Sequence, residues 1–177
     1  KTAPPAKVAA TKGYGANVVL VGSTYDESWA HAQKIALETN ATIIHAFDDS
    51  HVIAGQGVIG LEIIEQLPNV DEIYVPIGGG GLIAGIITAV KEKNPNVKII
   101  GVESSAYPAM KKSLENNTLE TVSGDTTIAD GISVKTPGKL TFEIVKQKID
   151  KIVTVDDSDI INAMFLLMER SKAVVEP

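Results

Sequence analysis

Val75-Pro76-Ile77-Gly78-Gly79-Gly80-Gly81-Leu82-Ile83-Ala84 is the stretch that decides the fold, because four consecutive glycines separate an apolar strand-like run from an apolar helix-prone run. We call residues Gly78–Gly81 the glycine loop. Glycine adopts left-handed backbone conformations without steric cost, so successive N–H groups in such a loop can turn towards one point. A helix that begins here adds unpaired N–H donors and the positive end of its dipole. The junction is therefore predicted to bind an anion.

The composition predicts a folded protein rather than a disordered tail. The chain has 177 residues, of which 44% are hydrophobic, and this length fits one domain or two small lobes. A net charge of −6 with scattered lysines argues against nucleic acid as a partner. The chain has no cysteine, which excludes disulfides and thiolate chemistry and suits a reducing compartment. We therefore expect a cytoplasmic protein.

Residues 73–90 carry no charged side chain, and an apolar run of this length approaches that of a membrane-spanning helix. Pro76, the glycine loop and Gly85 interrupt the run, so we interpret it as a buried strand, loop and helix and expect no membrane partner. The N-terminal residues lead into no apolar segment of a signal peptide. We expect the chain to be an internal fragment of a longer protein.

Strand-like and helix-like segments alternate along the chain. Strands are predicted over Asn17–Val21, Thr42–His45, Ile73–Ile77, Val97–Val102 and Ile152–Val155. Helices are predicted from Asp26 after a turn at Gly22–Tyr25, over Ser50–Leu67, from Leu82, over Pro108–Leu114, over Leu140–Ile149, and from Asp156 or Asp157, with a long loop over Asn116–Lys139. This alternation predicts an α/β fold with a parallel sheet and flanking helices, in which sites lie at the carboxyl ends of the strands.

Two features of the predicted helices concern packing. Gly55, Gly57 and Gly60 lie within one helix, where each glycine costs roughly 1 kcal/mol relative to alanine unless close packing uses it. These glycines predict that another backbone approaches closely. The apolar run Met164–Met168 is expected to belong to the core.

The glycine loop fits two classes of cofactor. Gly79, Gly81 and Ala84 satisfy the dinucleotide fingerprint with alanine in the final place, and Glu103 follows the next strand at a fitting distance. A dinucleotide-dependent oxidoreductase is therefore one hypothesis. The fingerprint needs glycine only at alternate positions, however, whereas four glycines in succession favour a loop that wraps a terminal phosphate. A third hypothesis is a binding module without catalytic activity.

The stretch Val75–Gly85 resembles the phosphate-binding loop of the threonine/serine dehydratases, a family that includes serine racemase relatives and uses pyridoxal 5′-phosphate. Four further stretches resemble this family in order and spacing, namely Lys7–Ala16, Val52–Gly57, Thr127–Gly131 and Glu169–Glu176. The resemblance runs nearly end to end. It implies a two-domain, tryptophan-synthase-like fold, in which residues 1–48 complete a small domain and residues 49–177 belong to the large, cofactor-binding domain.

The resemblance also implies site residues. It assigns the cofactor phosphate to Gly78, Gly79, Gly80, Gly81 and Leu82. It places Gly131 near the cofactor, although Asp130-Gly131 is also an ordinary turn pair. It assigns no catalytic residue to this chain, because family members carry the lysine that holds the cofactor well upstream of these stretches. The chain by itself is therefore expected to be inactive.

For the complete enzyme, the resemblance implies the conversion of threonine or serine to a 2-oxoacid and ammonia, in isoleucine biosynthesis or threonine catabolism. Racemisation of serine is the alternative within the family. The expected partners are a small amino-acid substrate and further copies of the chain in a homo-oligomer.

Glu103 is a candidate metal ligand, because its counterpart in serine racemases binds a divalent cation. Ala109, however, stands where a second carboxylate would complete the ligand set. We therefore assign no metal and expect Glu103 to be a solvated carboxylate at the end of a strand.

Overall fold

The computed structural model describes residues 3–22 and 25–177. Contacts between residues divide the chain into two compact units, Lys1–Ile44 and His45–Pro177. The first unit contains helices α1 (Pro5–Gly13) and α2 (Tyr25–Thr39). The predicted turn at 22–25 includes Ser23 and Thr24, which lie outside the described residues. The boundary expected at residue 48 between a small and a large domain stays a prediction.

Two predicted strands are wrong. Residues 17–21 and 42–45 form no strand, and no segment in the described part of the chain pairs with them. The physical reason is that an apolar run becomes a strand only where a neighbouring segment accepts and donates its backbone hydrogen bonds. Without such a neighbour Val19 and Leu20 remain 56% and 49% exposed.

The second unit alternates strands and helices, as the sequence predicts. The strands are β1 (Glu72–Pro76), β2 (Lys98–Ser104) and β3 (Lys151–Val155). The helices are α3 (Ser50–Gln66), α4 (Gly81–Lys93), α5 (Ala109–Glu115), α6 (Lys139–Lys148) and α7 (Asp157–Leu166). The long loop contains a 3₁₀ turn at Asp130–Ile132, and one π-helical turn, Leu167–Ser171, follows α7.

The three strands form one parallel sheet in the order β1-β2-β3. Ile73 lies opposite Ile99, and Val75 lies opposite Gly101, so these apolar side chains share one face of the sheet. These side chains join buried residues of α3, α4 and α6, including Ile53, Ile83, Ile87 and Val145, in one core. The predicted α/β fold with a parallel sheet and flanking helices is confirmed.

Helices α3 and α4 pack closely through glycines. A Cβ atom on Gly57 would lie 3.2 Å from the carbonyl oxygen of Gly85, and one on Gly60 would lie 3.1 Å from that of Ile86. The predicted close approach is therefore confirmed at these two glycines. It is wrong for Gly55, which is exposed and has open space around it, because it lies on the opposite face of the helix.

The apolar run 164–168 is not core, contrary to the prediction. Phe165 is 64% exposed and Met168 is 49% exposed. An apolar pattern indicates a face that can be buried, but no described element covers this face. The strand, loop and helix predicted over 73–90 are confirmed, and no helix in the described ranges combines the length and apolarity that a membrane crossing requires.

Candidate functional site

The glycine loop connects β1 directly to α4. Gly80 occupies the N-cap position of α4 with φ +94°, a conformation that side-chain-bearing residues rarely adopt. No protein acceptor among the described residues binds the N–H groups of residues 78–83. On either side of this run, Ile77 donates to the carbonyl of Val102 and Ala84 donates to that of Gly80. Six consecutive backbone donors are thus open at one helix N-terminus.

The neighbouring helices differ from α4 at this point, because carboxylates satisfy their first N–H groups. Asp49 accepts from His51 and Val52 at the start of α3. Glu103 caps α5, and Asp48 caps α6. No side chain within residues 3–22 and 25–177 caps α4. The positive end of the α4 dipole therefore faces no carboxylate of the described residues, which is the arrangement that a bound anion requires.

Surrounding side chains occupy the space in which Cβ atoms of the loop would lie. A Cβ on Gly79 would overlap the ring of Phe47. A Cβ on Gly81 would lie 2.9 Å from the Cβ of Phe47. A Cβ on Gly80 would lie 2.8 Å from Oγ1 of Thr141 and from Cε of Met110. The loop can adopt this path only with glycine at these positions.

The carbonyl of Gly79 is held by two donors from the start of α6. The N–H of Gly138 donates to it at 3.1 Å, and the hydroxyl of Thr141 donates at 2.7 Å. Thr141 is fully buried. Because the carbonyl is bound on the α6 side, the loop combines fixed acceptors with free donors. This donor set, neutral and numerous, fits a phosphate group.

Gly131 lies in the 3₁₀ turn and is exposed, with open space around it. The next residue comes close to the glycine loop, since a Cβ on Gly78 would lie 3.1 Å from Cα of Ile132 and 3.2 Å from a methyl carbon of Val134. The structure therefore brings the segment after Gly131 to the start of the loop. The role of Gly131 in cofactor binding stays a prediction.

Glu103 is not a solvated carboxylate, and that expectation is wrong. Its side chain is 0% exposed. Oε1 accepts the N–H of Met110 at 2.8 Å, and Oε2 accepts the N–H of Lys111 at 2.9 Å. The prediction failed because α5 folds back over the end of β2. Within the described ranges, no group of three or more His, Asp or Glu side chains is arranged to hold a metal ion.

Burial raises the pKa of Glu103 to about 7, while the N–H groups of Lys111 and Met110 and the charge of Lys111 act in the opposite direction. The folded protein therefore binds the proton more tightly than the unfolded chain, whose carboxyl titrates near its ordinary value of 4.5. We expect the free energy of unfolding to fall as the pH rises from about 4.5 to about 7. Glu103→Gln should flatten this slope in urea unfolding, whereas Glu143→Gln, an exposed site on α6, should retain it. If the free energy of unfolding of Glu103→Gln depended on pH as strongly as that of the original protein, the raised pKa of Glu103 would be contradicted.

Three residues of this site have no signal in the local sequence. Phe47 contacts Gly79 and Gly81 from 32 and 34 residues away, and Thr141 contacts Gly79 from 62 residues away. Asp48 acts through α6. Asp49, the residue that follows Asp48, caps α3. Only the tertiary structure reveals that Asp48 caps α6 instead, across 91 to 93 residues of sequence.

Comparison with known proteins identifies the family. The sequence profile described as "Pyridoxal-phosphate dependent enzyme" matches residues 1–177. The chain belongs to this family. It is 48% identical over 174 residues to L-threonine ammonia-lyase of Thermotoga maritima and 49% identical over 176 residues to that of Geobacter sulfurreducens. These matches cover 98% and 99% of the chain but only 43% and 44% of the two relatives.

Solved structures of the family resemble the chain closely. Threonine deaminase isoform 2 from Solanum lycopersicum superposes with a TM-score of 0.93 at 38% identity, covering 99% of this chain and 51% of that one. Maize serine racemase superposes with a TM-score of 0.96 at 34% identity, covering 100% and 54%. The chain thus spans about half the length of the relatives that it matches.

Proposed function

We propose that this chain supplies the phosphate-binding part of a pyridoxal-phosphate-dependent lyase that converts threonine or serine to a 2-oxoacid and ammonia. The run of six open N–H groups at residues 78–83 carries the proposal, because it supplies donors for a phosphate at a helix N-terminus. The family and the names of the ammonia-lyase relatives support the same activity.

Glu103 argues against the dinucleotide alternative. In a dinucleotide site the carboxylate after the second strand accepts hydrogen bonds from ribose hydroxyls. Here both oxygens of Glu103 accept N–H groups of α5, and the side chain is fully buried. Its carboxylate is therefore not available to a ribose.

The residues of this chain would act by binding and orientation. The N–H groups of Gly78, Gly79, Gly80, Gly81 and Leu82 would hold the phosphate, and Gly131 would lie near the cofactor. When bound, pyridoxal phosphate supplies the electron sink for reactions at the Cα atom of an amino acid. We assign no catalytic residue to this chain. We also propose a small domain ending near residue 48, a cytoplasmic location and a homo-oligomeric enzyme.

Cofactor titration tests the proposal. The protein that carries this chain is expected to bind pyridoxal phosphate, with a new absorption band in the visible region, and not to bind NAD. Incubation with L-threonine or L-serine should then release a 2-oxoacid. Binding of NAD instead would favour the oxidoreductase hypothesis, and binding of neither would favour a module without this cofactor. Formation of D-serine without 2-oxoacid would favour racemisation, the reaction class of the maize relative.

A further inference from the structure

The start of α6 contacts the back of the glycine loop, on the side of the carbonyls rather than the open donors. Gly138 and Thr141 both donate to the carbonyl oxygen of Gly79, at 3.1 Å and 2.7 Å. In a trans peptide the C=O and the following N–H point in opposite directions, and the described residues contain no cis peptide. Fixing the carbonyl of Gly79 therefore fixes the direction of the N–H of Gly80. That N–H is one of the six open donors.

The start of α6 is itself held by Asp48, from the segment before α3. Its carboxylate accepts the N–H groups of Lys139 at 3.0 Å, Leu140 at 2.8 Å and Thr141 at 3.2 Å. A Cβ on Gly138 would overlap this carboxylate, so the two segments are in direct contact. The same residue that orients α6 also fills its anion-binding end.

Phe47, the neighbour of Asp48, packs on the loop from the same segment. Its ring occupies the space beside Gly79, and its Cβ lies next to Gly81. Residues 47 and 48 therefore link the loop and α6 through packing and hydrogen bonding respectively. Displacement of either element would disturb the other.

We infer that Asp48 and Thr141 are positioning residues for the cofactor phosphate. Thr141 holds the Gly79 carbonyl and Asp48 holds the start of α6, so that the loop presents its N–H groups in the binding orientation. This inference rests on the proposed function. It predicts that the two side chains contribute to affinity for a phosphate-bearing ligand without touching that ligand. Neither residue follows from the glycine motif.

The test compares two ligands that differ only in the phosphate. We would measure dissociation constants of pyridoxal phosphate and of pyridoxal for the protein that carries this chain. Thr141→Val removes one of the two donors to Gly79, and Asp48→Ala removes the cap of α6. Each variant is expected to lower the preference for the phosphorylated ligand by about fivefold to tenfold, the loss typical of one hydrogen bond. The ³¹P resonance of the bound cofactor should shift in the same variants.

Matched controls separate positioning from general stability. Thr88→Val removes a hydroxyl that donates to the carbonyl of Ala84 within α4, and Asp49→Ala removes the equivalent cap of α3. Both should leave the ligand preference within about twofold of the original, although Asp49→Ala should cost about 1 kcal/mol of stability. Thr141→Ser keeps the hydroxyl and should restore most of the preference.

The outcomes distinguish the two claims. An original protein that binds no pyridoxal phosphate overturns the proposed function and this inference with it. Cofactor binding with an unchanged ligand preference in both Thr141→Val and Asp48→Ala overturns this inference alone. If Asp48→Ala does not fold, Thr141→Val decides, because valine has nearly the shape of threonine. The inference would also be overturned if the control variants lost as much preference for pyridoxal phosphate over pyridoxal as the test variants.

Discussion

Gly80→Ala is expected to raise the dissociation constant for pyridoxal phosphate about a hundredfold or more. The backbone at this position has φ +94°, and an added Cβ would lie 2.8 Å from Oγ1 and 2.9 Å from Cβ of Thr141. A side chain in the left-handed region costs about 1–2 kcal/mol, and overpacking adds roughly 1–3 kcal/mol. The loop can relieve the backbone strain and the overpacking by turning away from α6. This movement takes its N–H groups out of their common orientation. Cofactor titration by absorbance measures the effect.

Gly124→Ala is the matched control for this substitution. Gly124 has φ +74°, and a Cβ there would overlap the ring of Tyr107, so the change combines the same backbone strain with the same kind of contact. It lies in the loop after α5, and the three atoms nearest to such a Cβ all belong to Tyr107, rather than to the glycine loop or α6. We expect lower stability and a dissociation constant close to the original. Tight cofactor binding by Gly80→Ala would show that the loop conformation does not determine affinity.

Gly85→Ala is expected to lower the free energy of unfolding by about 1–2 kcal/mol. A Cβ on Gly85 would overlap the carbonyl oxygen of Ile53 and lie 2.6 Å from the nitrogen of Gly57. These are backbone atoms of α3, so the two helices must separate. Overpacking of this kind costs roughly 1–3 kcal/mol or more and outweighs the gain of about 1 kcal/mol that alanine brings to a helix. Urea unfolding monitored by circular dichroism measures the change.

Gly55→Ala is the control, since it makes the same exchange within α3 at a position with open space. There only the helix propensity changes, and stability should rise by about 0.5–1 kcal/mol. If Gly85→Ala were as stable as Gly55→Ala, the close contact between α3 and α4 would not exist in solution.

The sequence was sufficient to predict the elements that depend on residues close to one another in the chain. The glycine loop, the strand before it and the helix after it follow from glycine dihedrals and from apolar runs. The parallel sheet follows from the alternation of strands and helices. Asp49 could be predicted as a cap because it directly precedes α3. In each case the residues that decide the structure lie within a few positions of one another.

The remaining features depend on residues far apart in sequence. Residues 17–21 have a strand-like pattern, but the pattern cannot supply a neighbouring strand. Glu103 is predicted to follow a strand and lies within the last residues of β2, and its burial depends on how α5 folds back over it. Asp48 gives no local sign that it caps α6. The sequence thus predicts a phosphate site at the glycine loop and gives no sign of the distant groups that contact this loop.

Carboxylates distinguish α3, α5 and α6 from α4, the helix at which we propose that the phosphate binds. Asp49, Glu103 and Asp48 already satisfy the first N–H groups of α3, α5 and α6. At α4 the N-cap is a glycine, which has no side chain to accept them. An external anion therefore gains hydrogen bonds at α4 that the protein itself provides at these neighbouring helices.

Backbone amide chemical shifts test this account most directly. Addition of pyridoxal phosphate to the ¹⁵N-labelled protein is expected to shift the amide resonances of residues 78–83. The amides of His51 and Val52 should stay in place, because Asp49 already binds them. Saturable binding of the cofactor that leaves the amides of 78–83 unchanged would contradict the account.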